Sequence, residues 1–377
     1  MTPVFPKIIS TADGLTRLVE QVAAEQLLAC DLEGDSLHHY QERVCLIQIS
    51  TPSESFLIDP LAIPDLSPLA PVMTDPAIRK VFHGADYDIR SLHRDFGIEV
   101  TNLFDTMIAC QILGEKEVGL AAVLKKRFGV ELDKRFQKAD WSKRPLSQGM
   151  IEYAARDTTL LIELYGQLHR ELVDKGRLGW LEEECELLSR VRSAVRAAGP
   201  LYLKFKGASR MDQRTLAVLE ELLRFREDKA RLRDVPPFKV LGNEQLRAIA
   251  EKRPRKLGDM KEIPGMASTI VERYGRLLLE AVERGMALPP DRLPAFPRSP
   301  RVPRNARQEQ CLKALKQWRE EKARKLRVDG GLLANNSLLE LLAESAPQSI
   351  EDLSQMPMLK RWQREVFGAE LLDVLKS

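Results

Sequence analysis

Leu27-Leu28-Ala29-Cys30-Asp31-Leu32-Glu33 is an apolar run that ends in two carboxylates one residue apart. Read as a strand, it sets residues i and i+2 on one face, so Asp31 and Glu33 emerge side by side. Two like charges held that close repel, and a core does not tolerate them unpaired. A divalent cation resolves the conflict, because Mg²⁺ and Mn²⁺ take hard oxygen ligands. A strand end opening onto solvent would also accommodate two acids. The pair therefore draws its meaning from the rest of the chain.

Around this run the pattern predicts an α/β domain. A helix is expected over residues 12–24. Two more strands are expected at Val44-Cys45-Leu46-Ile47-Gln48-Ile49 and Ser55-Phe56-Leu57-Ile58-Asp59. Short polar turns between these strands predict an antiparallel meander. The rhythm then changes. Lys80-Val81-Phe82 reads as a strand that passes through His83-Gly84 into a helix from Asp86 to Phe96, and Leu103-Phe104 reads as another short strand. Helices are expected over 106–113, 118–128 and 147–173, with Ser147 as N-cap of the last. Meandering strands followed by strand–helix alternation predict a mixed sheet flanked by helices.

The chain of 377 residues is long enough for two or three domains. Hydrophobic content of 44% and charged content of 30% fit a soluble globular protein. No stretch approaches the roughly 20 apolar residues that span a bilayer, and the N-terminus lacks the pattern of a secretory signal. A cytoplasmic protein without membrane association is expected. Its five cysteines are scattered, with no Cys-x-x-Cys, and read as reduced, mostly buried thiols. The net charge of +3 hides a division: residues 1–190 carry 21 Lys and Arg against 30 Asp and Glu, and residues 191–377 carry 37 against 25. A basic back half suits docking on a polyanion, although basic helical domains are also common for other reasons.

From about residue 208 the periodicity is helical, interrupted by Pro-rich connectors at 235–237 and 289–303. This half is a tandem repeat. Phe225-Arg226-Glu227-Asp228-Lys229-Ala230-Arg231 matches Trp318-Arg319-Glu320-Glu321-Lys322-Ala323-Arg324 at an offset of 93. The same offset pairs Asn243 with Asn336, Pro254 with Pro347, Asp259 with Asp352 and Pro264 with Pro357, without a gap. Each unit reads as a small helical bundle.

Further acids can now be placed. Asp88 falls in the first turn of the helix after His83-Gly84-Ala85, where a carboxylate is favoured by the dipole. Tyr153 and Asp157, four residues apart, share a helix face. Asp-x-Glu on the first strand of the set, Asp after a later strand, and Tyr-x-x-x-Asp on a late helix form an ordered set. That set resembles the DEDD exonuclease superfamily in its tyrosine-bearing branch and, within it, the ribonuclease D family. Glu33-Gly34-Asp35-Ser36-Leu37, Cys45-Leu46-Ile47-Gln48-Ile49, Leu103-Phe104-Asp105-Thr106, and Asp140-Trp141 through Arg144-Pro145-Leu146 look like that family's signature segments. The paired repeats resemble its two HRDC domains.

The resemblance implies a ribonuclease H-like exonuclease domain over 1–207 and an HRDC domain over 208–288. A Pro-rich linker over 289–304 and a second HRDC-like, all-α bundle over 305–377 follow. It implies metal ligands at Asp31, Glu33, Asp88 and Asp157. Together they would hold two Mg²⁺ or Mn²⁺ ions about 4 Å apart, with Asp31 bridging both. Tyr153 would orient the attacking water, since a phenol with a pKa near 10 positions a water more readily than it deprotonates one. The implied activity is metal-dependent 3′→5′ exoribonuclease action that releases nucleoside 5′-monophosphates. Its substrates would be tRNA precursors and other structured RNA 3′ ends, and the protein would be a monomer.

Basic residues concentrate between Lys125 and Arg144. Lys134, Arg135, Lys143 and Arg144 are the expected RNA contacts, with a solvated surface as the plainer alternative. Gln48 and His83 offer themselves as substrate contacts, but a strand-interior Gln48 could equally satisfy neighbouring backbone, and both stay unassigned. The first repeat carries Ile263-Pro264-Gly265-Met266, which resembles the Pro-Gly turn of HRDC domains, and the second has Met356-Pro357-Met358-Leu359 instead. Without that glycine close approach of the backbone to a ligand is harder, and packing against the nuclease becomes the alternative task of the second repeat. A DNA exonuclease and an inactive RNA-binding scaffold are the competing readings. A missing carboxylate would favour the scaffold, and all four are present.

Overall fold

The computed structural model describes residues 6–193, 199–297 and 304–376, apart from the side chain of Asp157. Residues 298–303 of the expected linker thus lie outside the described residues. The strands are β1 Lys7–Ile9, β2 Leu27–Gly34, β3 Val44–Ser50, β4 Ser55–Ile58, β5 Arg79–Phe82 and β6 Leu103–Asp105. They form one sheet in the order β1-β4-β3-β2-β5-β6. β2, β3 and β4 make the expected antiparallel meander, whereas β1 joins β4, β5 joins β2 and β6 joins β5 in parallel. The sheet is therefore mixed. β1 is too short for its alternation to show in the sequence.

Parallel neighbours need crossovers, and helices provide them. The nuclease portion carries α1 Ala12–Val22, α2 Ala70–Thr74, α3 Asp86–Phe96, α4 Thr106–Leu113, α5 Leu120–Phe128, α6 Gln148–Thr159, α7 Leu161–Asp174 and α8 Leu178–Ser189. All seven residues of β3 are buried, because both faces of the sheet are covered. Leu28, Val81 and Phe104 join Leu161, Leu164 and Leu168 of α7 in the main core. A separate cluster of Leu46, Leu57, Trp141, Met150 and Ala154 seats α6.

One expected helix is two. The helix expected over 147–173 breaks at Leu160, between α6 and α7. Thr159 Oγ1 donates back to the Ala155 carbonyl at 2.7 Å, and Thr158 Oγ1 meets Ser50 Oγ on β3 at 2.7 Å. Such hydroxyl bonds compete with the helix ladder and bend it. The two threonines tie the end of α6 to the sheet, and the chain starts a new helix beyond them.

The back half is helical throughout, and its repeat is real in three dimensions. α9 Gln213–Leu232, α10 Asn243–Lys252, α11 Leu257–Lys261 and α12 Ser268–Ala287 make the first bundle. The second contains α13 Ala306–Leu326, α14 Gly330–Leu333, α15 Asn336–Ser345, α16 Ile350–Ser354 and α17 Arg361–Lys376. α13, α15, α16 and α17 each begin 93 residues after their counterparts in the first bundle. Arg226 donates to the Leu241 carbonyl and to Asn243 Oδ1, and Arg319 repeats this with Ala334 and Asn336.

Compactness does not follow sequence order. The chain divides into two units, Met1–Gly34 with Val44–Ser193 and Val302–Ser377, and Asp35–Arg43 with Ala194–Arg301. The second repeat thus belongs with the nuclease. In the other unit, the connection between β2 and β3 packs on the first repeat through His39 Nδ1 to Asp234 at 2.7 Å and Tyr40 Oη to Glu227 at 3.0 Å. All five cysteines are buried and free of disulfides. Among the described residues no helix is long and apolar enough to cross a membrane.

Candidate functional site

β2 presents the two acids as the alternation requires. Leu32 is buried, while Asp31 and Glu33 are half-buried on the other face. In the register with β3, Asp31 lies opposite Gln48 and Glu33 opposite Leu46. Cross-strand partners share a face, and Leu46 lies in the cluster beneath α6 with Met150 and Ala154. The acids therefore emerge on the side of the sheet that carries α6. A bulge follows at once, between Glu33 and Gly34, ending the regular pairing there.

Asp88 comes to the same place from α3. It is 5% exposed, and the backbone N–H of Leu32, set between the two acids of β2, donates to its carboxyl. Burial pushes the Asp88 pKa up to about 7, with the Asp105 and Asp86 charges adding to the rise. A carboxyl in that state is poised to exchange its proton for a cation, which would restore the ionised form. Hard oxygen donors from two elements, one of them under a desolvation cost that positive charge relieves, suit a divalent ion.

The turn that aims Asp88 is held by a residue that the sequence placed in a signature segment without a role of its own. Asp105, 1% exposed, N-caps α4 by accepting from Met107 N at 2.8 Å. It also accepts from Gly84 N at 3.0 Å and Ala85 N at 2.7 Å, just before α3. One buried carboxylate thus joins two strand–helix corners. Its capping role is readable locally from an Asp between a strand and a helix, but its grip on Gly84 and Ala85 is not. His83 beside it reaches Thr106 Oγ1 at 2.8 Å, and burial depresses its pKa, so the ring is neutral at pH 7.

α6 supplies Tyr153 and position 157. Tyr153 is half-buried, edge-on to Phe136 at 5.9 Å and 6.0 Å from Trp141 between ring centroids. It borders a cavity of about 190 Å³ shared with Arg135, Phe136 and Arg156. Asp157 is helical in its backbone, and its side chain lies outside the described residues. Among the described residues no three His, Cys, Asp or Glu side chains form a ready-made metal cluster.

The expected RNA contacts separate into two kinds. Lys134 is exposed, and Arg135 pairs with Asp133 at 2.6 Å beside the Tyr153 cavity. Lys143 is exposed, 3.8 Å from Asp140. Arg144 has a different task. Its guanidinium donates to Asp59 at 2.6 and 2.7 Å, to the Cys45 carbonyl at 2.7 Å and to the Trp141 carbonyl at 2.8 Å. A basic residue in a basic stretch reads as a polyanion contact when its acid partner lies far off in the chain. In the first repeat Gly265 has φ +75°, the left-handed conformation that glycine adopts readily, and Met358 stands at the matching place.

A family profile of 3′-5′ exonucleases matches residues 6–173, and one of HRDC domains matches 215–282 and 308–375. The chain is 31% identical to a ribonuclease D of Acidiphilium cryptum over 98% of its own length and 94% of the relative's. It is 30% identical to ribonuclease D of Escherichia coli, over 98% of both chains. The crystal structure of Escherichia coli RNase D, described as an exoribonuclease involved in structured RNA processing, superposes with a TM-score of 0.72 over 98% of each chain at 29% identity. The catalytic core of RRP6 from Trypanosoma brucei gives 0.66 at 32% identity, over 76% of this chain and 82% of that one.

Proposed function

This chain belongs to the ribonuclease D family and is a 3′→5′ exoribonuclease, and from that premise we propose a reaction that depends on divalent metal ions held by Asp31, Glu33, Asp88 and Asp157. The observation that carries this reading is Asp88. A buried carboxyl whose pKa is raised to about 7, set against the backbone between two further acids, is the donor set that a divalent cation stabilises. When bound, such ions supply a Lewis acid for water and offset the charge on a leaving 3′ oxygen.

The residues divide the remaining work. Asp31 and Glu33 offer oxygens from one strand, Asp88 from α3, and Asp157 from α6. Tyr153 holds the attacking water through its hydroxyl, in line with the terminal phosphodiester. Water adds at phosphorus, the P–O3′ bond breaks, and the shortened RNA keeps a 3′ hydroxyl while a nucleoside 5′-monophosphate leaves. Lys134, Arg135 and Lys143 guide the RNA backbone toward the site, as positioning contacts to phosphate do. The substrates in this reading are tRNA precursors and other structured RNA 3′ ends, processed by a monomer.

The test is an assay on tRNA carrying a 3′ extension and on matched single-stranded DNA, with Mg²⁺ or Mn²⁺ and with chelator. We expect 5′-monophosphates from the RNA, none after chelation, and none from well-folded Asp31→Asn or Asp157→Asn. Full activity in either variant, or activity in chelator, would sink the assignment. Tyr153→Phe should lose most of kcat with KM for RNA little changed, the mark of an interaction used in the transition state.

A further inference from the structure

Every residue of β3 is buried, and all but two are apolar. Ser50, one of the two, is satisfied by Thr158 and Ser55. Gln48, the other, is 0% exposed, and both its Oε1 and Nε2 are sealed from solvent with no hydrogen-bond partner among the described residues. Its amide therefore does not serve the strand backbone. Buried polar groups are nearly always paired, and an aliphatic side chain of the same shape would fill this place without the desolvation cost.

The position says what the amide is kept for. Gln48 lies directly across from Asp31 in the β2–β3 register, so the two side chains share a face with Cβ atoms about 4.5–5.5 Å apart. Ser50, two residues on and on that same face, bonds Thr158 of α6. The amide thus sits on the face covered by the helix that bears Tyr153 and position 157. Carboxylates that bind metals are themselves held by hydrogen bonds from a surrounding shell.

We propose that Gln48 is a positioning residue for the Asp31 carboxylate: its Nε2–H donates to that carboxylate when a divalent cation is held there, fixing the oxygens in the orientation the cation needs. The inference rests on the reading of Asp31 as a ligand. The unpaired amide is then a group held in reserve for the loaded site.

Gln48→Met, which keeps length and removes both polar atoms, tests this in the full chain with Mn²⁺ alone as probe. Melting of the metal-free protein should occur at or above the wild-type temperature, because a buried unsatisfied amide is gone. Calorimetric Mn²⁺ affinity should weaken by about 10–100-fold, with kcat reduced and KM for RNA unchanged. Mn²⁺ affinity equal to wild type would overturn the proposal, and so would a metal-free variant that melts well below wild type or fails to fold. Wild-type protein that binds no Mn²⁺, or Asp31→Asn that binds it normally, would instead remove the metal reading itself and this inference with it.

Discussion

Arg144 stands in a basic stretch, yet its guanidinium is spent on the fold. Its guanidinium spans the buried Asp59 carboxylate at the end of β4 and the Cys45 carbonyl of β3, so it pins the segment carrying Trp141 to the sheet. Burial alone would raise the Asp59 pKa, but the hydrogen bonds and charge of Arg144 bring it below the ordinary value. A carboxylate with a folded pKa below its unfolded one stabilises the fold above the unfolded value of about 3.9 and loses that contribution as pH falls through the folded value. Breaking a buried pair costs about 3–5 kcal/mol, and partial exposure of Arg144 lowers the expectation to about 2 kcal/mol for Arg144→Met at pH 7. Urea melts should show that deficit shrinking as pH falls from the ordinary carboxylate value through the lower folded value, below which Asp59 is protonated even with its partner in place. A deficit independent of pH would mean that Arg144 acts by packing. The shared face of Asp31 and Glu33 and the first-turn place of Asp88 were legible at this scale because strand alternation and helix turns set them, whereas the approach of Asp88 to β2 was not. The fork on Asp59 was not, because its two halves lie 85 residues apart.

Elements were legible where a local period or a local signal defined them. The offset of 93 survives without a gap because hydrogen bonds join fixed places on different helices of each bundle. Arg226 with Asn243 and Arg319 with Asn336 are one example. Asp259 and Asp352 repeat a local bond instead, each accepting from the backbone four residues back at the start of its own short helix. An insertion between the helices that Arg226 and Arg319 join would break the first kind. The break at Leu160 was hidden, since its cause is a pair of threonines bonded to strands some hundred residues earlier. Helix contacts also give two glycines opposite characters. A Cβ on Gly285 of α12 would meet the Val218 backbone of α9 at 2.5 Å, so Gly285→Ala forces the helices apart. We expect a loss of about 1–3 kcal/mol, the usual cost of overpacking. Gly166 in α7 has nothing within 4 Å of such a Cβ, and Gly166→Ala should gain about 0.5–1 kcal/mol from the helix backbone. Thermal melts of the two variants should move in opposite directions, and a shared direction would count against this account of α9 and α12.

At the scale of the molecule, the acidic front and basic back halves meet within one compact unit. Trp180 of α8 stacks on Trp362 of α17 at 4.5 Å with the rings 16° apart, and Lys360 Nζ reaches both oxygens of Glu184 at 2.5 and 2.6 Å. Glu183 accepts from the backbone N–H groups of Arg361 and Trp362 at 2.7 Å each, where the positive end of a helix favours a carboxylate. Arg177 closes the contact, donating to Ile112 and Leu326 carbonyls. Part of the charge division thus serves attachment of the second repeat to the nuclease, the task that Met358 in place of glycine already suggested. Trp362→Ala in the full chain separates attachment from RNA binding. Removing a buried tryptophan costs about 3–5 kcal/mol, so melting of the nuclease unit should fall by several degrees. The slope of log RNA affinity against log salt should stay at its wild-type value, because that slope counts phosphate contacts and none would have been lost. A shallower slope, with melting unchanged, would make the second repeat an RNA-binding surface and its contact with α8 incidental.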